Sequence, residues 1–135
     1  MKFTYRISIV VLCYLLSSYG IVLSLMLVGM SGVTSLAGMS VGGLILFAWI
    51  CHAMMSMNWV LDRPVGRWVP RWGALAGILG LVLWPVANPA IERFELADAL
   101  HALAMGVGFT LPCCVLALFL VRFHLQRGGP VRSSR

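Results

Sequence analysis

Acidic side chains are nearly missing from this sequence: four Asp and Glu stand against ten Lys and Arg in 135 residues. Charged residues of either sign make up only 10% of the chain, where a water-soluble domain carries roughly a quarter. That scarcity excludes an ordinary soluble surface. The apolar remainder is 61% of the residues, with a mean hydropathy of +0.96. A domain near this length still exposes about a third of its unfolded surface to water, so one small core has no room for so much apolar area. Long stretches without any charge point to lipid as the solvent instead.

Other absences narrow the function. Neither Cys-x-x-Cys nor His-x-x-x-His occurs, so the strong sequence signals for bound metal are missing. There is no phosphate-binding glycine loop. No Asp, Glu, Lys or Arg interrupts the long apolar runs, which removes the usual ionisable centre of a proton-coupled transporter. His52, His101 and His124 fall at three different depths, unlike a bis-imidazole haem pair. Ser, His and acid do not meet at one depth as a hydrolytic triad requires. The expectation is a protein that is not an enzyme and has no resident cofactor. The basic residues form neither a helical stripe nor a patch interleaved with aromatics, so nucleic acid is not an expected partner. All four cysteines (Cys13, Cys51, Cys113, Cys114) sit in apolar runs and two are adjacent, which argues against a disulfide framework.

What is present is four apolar segments, running from about Ile7 to Met30, Leu36 to Val60, Gly73 to Pro89 and Ala99 to Val121. At ~1.5 Å per residue the first, second and fourth cross a ~30 Å hydrocarbon layer. The third is short and ends in WPVANP, where two prolines and an asparagine stop a helix. Lys2 and Arg6 resemble the basic start of a signal peptide. The apolar run behind them is longer than the ~7–15 residues of a cleavable one, so we read it as an uncleaved span.

The basic residues give the direction. Lys2, Arg6, Arg63, Arg67, Arg71, Arg122, Arg127, Arg132 and Arg135 fall on one side of these spans, and Arg93 alone on the other, beside Glu92, Glu95 and Asp98. Cytoplasmic loops carry the Lys and Arg excess. The expected architecture is therefore all-α: a polytopic bundle of four transmembrane helices in the cell inner membrane, both termini cytoplasmic, residues 1–135 forming one membrane domain. Arg63, Arg67, Arg71 and Arg122 set topology and attract anionic lipid. Trp59, Trp68 and Trp72 are placed as anchors at headgroup depth. The tail 122–135, with its QRGGPVRSSR end, is expected to lack structure.

Helices in lipid associate through close packing and polar contacts. Gly38 and Gly42 form a small-residue pair in the second span, Gly73 and Gly77 in the third, and Ser17, Ser18, Ser24, Ala102, Gly106 and Thr110 extend the pattern. They suit packing inside the bundle or self-association. Pro112 interrupts the fourth span and frees the carbonyl of Gly108.

The stretch ICHAMMSMNW, 50–59, sets a cysteine, a histidine and three methionines on one span. Cys51, His52 and Met55 share a face. Counted from the basic side, all four cysteines and His52 lie in a layer at a depth of ~10–16 Å. Thiolate, thioether and imidazole select Cu(I) and related soft ions, so Cys51, His52 and Met55 with Cys113 or Cys114 form a candidate soft-metal site. The plainer reading is that cysteine and methionine fill a core, and that His52 needs a hydrogen-bond partner because it lies away from the helix ends. On the opposite side Glu92, Glu95, Asp98 and His101 recur at intervals of three. Asp98 is placed to cap the fourth helix, and a hard-cation mouth is the alternative. The function expected is non-enzymatic: contact with another membrane protein, as an accessory subunit or a protector, or with a second copy. Soft-metal binding or transport is the alternative.

Overall fold

The computed structural model describes residues 2–22, 36–87 and 96–128, the side chains of 85–87 and 96–107 excepted. The described elements are all helices: α1 (Lys2–Leu16), α2 (Leu36–Val60), α3 (Trp68–Ala87) and α4 (Leu96–Arg127). Among the described residues, Leu36–Val60 and Gly108–Arg127 are long and apolar enough to cross a membrane, and Trp68–Trp84 is a shorter apolar stretch.

α2 has the limits expected of the second span; the others differ for local reasons. α1 starts at Lys2, ahead of the apolar run, turns at Ser17 and continues as helix through 18–22. The amide of Ile21 still donates to the carbonyl of Ser17 at 2.9 Å. α3 starts at Trp68 rather than Gly73, because Pro70 falls in the first turn, where its missing N–H costs nothing. It is described as far as Ala87, and the expected end at Pro89 lies outside the described residues. The fourth helix runs six residues beyond the expected Val121, to Arg127, so the first part of the expected tail is helical. No breaker stands before Gly128, and Phe123 and His124 pack inward. His124 accordingly lies within α4, not beyond the last span.

α2 and α3 approach closely because α3 presents glycine. A methyl group on Gly73 would lie 2.6 Å from Cβ of Cys51, and one on Gly80 would lie 2.7 Å from Cγ1 of Ile45. Gly77 faces Ala48 at an ordinary 3.5 Å. Gly38 and Gly42 are buried on α2. α1 meets α4 through Ser17, whose buried Oγ accepts the amide of Cys113 at 3.2 Å. Cys113 follows Pro112, so its N–H belongs to the turn that the proline opens. The thiol of Cys113 points to the carbonyl of Cys13, 3.7 Å away. Ser17→Ala is expected to weaken the α1–α4 pair by about 1 kcal/mol. Ser18→Ala, at an exposed position, should leave it unchanged. Unfolding of both variants in mixed micelles measures the difference.

The four helices close at one end. Leu61, Asp62 and Arg63 end α2 in a reversed turn: the Asp62 amide donates to Trp59 and the Arg63 amide to Asn58. Asp62 takes the left-handed conformation (φ 57°) usually given to glycine in this motif. There its carboxylate receives Arg6 from α1 and Arg127 from α4, both through Nη1 at 2.8 Å. The stem of Arg67, at the entry to α3, lies against Gly128. The start of α1, the end of α2, the start of α3 and the end of α4 therefore meet.

The exterior, more than the core, departs from that of a soluble bundle. Ser17, His52, Ser56 and His124 are buried. Large apolar side chains on every helix are exposed, among them Leu15, Leu46, Ile78 and Leu118.

Candidate functional site

The interior polar groups lie where α1, α2 and α4 converge. His52, 6% exposed, projects from α2 toward α1, where the hydroxyl of Tyr14 is 2.6 Å from its Nδ1. Donation from the phenol leaves the ring proton on Nε2. The backbone of Cys113 on α4 is nearby, but Nε2 has no partner of hydrogen-bonding geometry. Trp49, one turn earlier on α2, sets its ring edge-on to His52 at 5.7 Å between centroids, and Tyr14 stands 5.5 Å from the same imidazole. Ser56, one turn later, is buried with its Oγ unpartnered. Among described residues the third buried atom in that condition is Nδ1 of His124. His124 is 1% exposed, and its Nε2 donates to the carbonyl of Met55 at 3.1 Å.

The candidate soft-metal ligands are not drawn together by this arrangement. Cys51 and Met55 both belong to the apolar core with Trp59, Val69, Leu116 and Leu120, and Cys51 packs against Gly73 on α3. His52 faces α1 and Cys113 faces Cys13, while Cys114 points to the hydroxyl of Thr110 on its own helix at 3.8 Å. Among described residues no three His, Cys, Asp or Glu side chains converge as a metal site would need. A shared face and a shared depth on a helix do not fix direction. Cys51 and His52 are adjacent, and about 100° apart around the axis. Glu92 and Glu95 lie outside the described residues, and Asp98 and His101 lie in α4 where side chains are not described.

At the charged end Trp59 departs from expectation. It is buried, edge-on to Phe119 at 5.4 Å, with the guanidinium of Arg6 above it at 5.5 Å. Trp68 and Trp72 are exposed, as interfacial anchors are. Arg63, Arg67, Arg71 and Arg122 are exposed as well.

Two guanidinium groups, Arg6 first and then Arg127, hold the Asp62 carboxyl below its usual range. A depressed acid favours the folded state wherever it is ionised in both states. This contribution is therefore fully present above the ordinary value of 3.8 and is lost as the pH falls through the lower folded value. Exposure and salt keep it small. In acid titrations followed by tryptophan fluorescence, the wild type should lose stability more steeply below pH 3.8 than Asp62→Asn.

Tyr14 and Ser56 were not legible as part of a site, although a signal for Tyr14 existed. Its hydroxyl stands well inside an apolar run, at a depth close to that of His52. No family model matches the chain, and neither known proteins nor solved structures give a match.

Proposed function

We propose that this chain is an integral protein of the cell inner membrane, a bundle of four membrane-crossing helices with both termini cytoplasmic. It acts without catalysis, through contacts with another membrane protein or a second copy. The carrying observation is the apolar exterior: large aliphatic and aromatic side chains lie exposed along every helix. In water that exterior is unfavourable by about 25 cal/mol for each Å² exposed; in hydrocarbon it is not. The meeting of Arg6, Asp62 and Arg127 supports the orientation, because it brings basic residues of two separate segments to the end where α2 meets the 61–67 connection.

Contact with a protein is the reading that the surfaces favour. Residues 61–67 are the whole connection between α2 and α3, so little projects there, and recognition falls to the lipid-facing helices or the arginine-rich end. Two experiments test the reading. A reporter fused after Arg135 should be active only in the cytoplasm, and activity outside the cell overturns the orientation. Mild-detergent extraction should yield the chain with a stoichiometric membrane partner or as a dimer, and a bare monomer overturns the contact role.

A further inference from the structure

The charged end holds more order than topology alone requires. Two guanidinium groups donate to the same carboxylate oxygen, each at 2.8 Å. One negative charge thus gathers two positive ones. No other acidic residue occurs before Glu92 or after Asp98, so this end stays strongly positive. Each guanidinium is also held from a second direction, Arg6 over Trp59 at 5.5 Å and Arg127 over Phe123 at 4.7 Å. Arg6 adds a hydrogen bond to the carbonyl of Trp59 at 2.7 Å. These bonds run through Nη1 of each arginine, whereas a guanidinium carries five donors in a planar fork suited to phosphate. Asp62 and Arg127 remain open, with side chains 56% and 42% exposed.

We propose that this end is a specific site for the phosphate of an acidic phospholipid, with Asp62 holding Arg6 and Arg127 side by side to receive it. The inference rests on the membrane reading above, which sets the cluster at headgroup depth beside the exposed Trp68 and Trp72. Preorganisation is the reason for a site rather than diffuse attraction. Aromatic faces and the carboxylate have already restricted two long side chains, so a phosphate meets donors with little freedom left to lose. A phospholipid fits better than a free anion because Phe3, Ile7 and Val11 are exposed along α1. Acyl chains can lie there while the phosphate engages the arginines.

The test reconstitutes the full chain in phosphatidylcholine nanodiscs containing phosphatidylglycerol, then measures the phosphatidylglycerol retained after detergent exchange by native mass spectrometry. Arg127→Lys keeps the charge and loses the fork. It should lower retention about tenfold, the size of one charge-assisted hydrogen bond. Arg6→Lys should do the same. Arg122→Gln removes a whole charge that supplies only diffuse attraction, and should lower retention far less than either lysine variant. Wild-type retention in both lysine variants, or an equal loss in Arg122→Gln, overturns the site in favour of diffuse charge. Displacement by millimolar inorganic phosphate overturns the choice of a lipid over a free anion. Insertion into the mixed discs without retained phosphatidylglycerol sinks the site and leaves the membrane reading standing. Failure to insert into any disc sinks both.

Discussion

Gly20→Ala is expected to be among the most damaging single-methyl additions in the protein. The new Cβ would lie 2.7 Å from Cβ of Phe109, 2.8 Å from the Phe109 carbonyl carbon and 2.9 Å from Cγ2 of Thr110. The second of these is backbone, so no rotamer change relieves it and α1 must move off α4. Overpacking of this kind costs about 1–3 kcal/mol. The separation would also strain the Ser17–Cys113 bond, one turn away. Gly43→Ala and Gly108→Ala are the controls. A methyl at either meets nothing within 4 Å, and alanine is the better helix former by up to about 1 kcal/mol, so both should be neutral or stabilising. Gly73→Ala gives a further check on mechanism. Its obstruction is Cβ of Cys51 at 2.6 Å, a side-chain atom that Cys51→Gly removes. The double variant should lose less than the sum of the two single losses, whereas no side-chain deletion should show such coupling with Gly20→Ala. Unfolding in mixed micelles reports all of these.

This contrast shows what was legible in the sequence. Gly73 and Gly77 announce close packing by their spacing, and α2 indeed lies against them. Gly20 has only Ser24 four residues on, a pair the spacing did not single out, and its importance comes from where α1 happens to cross α4. Periodicity gives helices and faces, but the crossing point depends on all the side chains between two helices together. The ends of helices follow the same logic. The limits of α2 could be read directly, because the small and polar run SGVTS precedes it and Asp62, Arg63 and Pro64 follow it. The end of α4 could not, because Arg122 looks like the start of a tail until Phe123 and His124 are seen packed inward. In the interior, the need of His52 for a partner was legible from its position in an apolar run. The identity of that partner was not, because depth can be counted along a chain and azimuth between chains cannot.

Tyr14→Phe should destabilise the bundle more than loss of both members of the Tyr14–His52 pair. The phenol keeps its ring in Tyr14→Phe, so the contacts with Trp49 and His52 remain. The hydroxyl at 2.6 Å is gone, and Nδ1 is left without a bond inside a site where Nε2 already lacks one. An orphaned buried group costs about 1–3 kcal/mol. Membrane interiors give somewhat less, at ~0.6–2 kcal/mol, because the unfolded state in lipid also finds partners. In Tyr14→Phe/His52→Leu no polar atom of the pair remains to be satisfied, and leucine fills much of the imidazole volume. Replacing both partners by apolar groups is close to neutral, so the double variant should regain most of the stability that the single one loses. Mixed-micelle unfolding of the four species gives the coupling energy, and the ¹⁵N shifts of the His52 ring show whether the tautomer changes when the phenol is lost. No loss in Tyr14→Phe beside a loss in the double variant would mean that the pair is held by ring packing alone. A double variant that keeps its stability but no longer binds its membrane partner would instead show that His52 is retained for recognition rather than for folding.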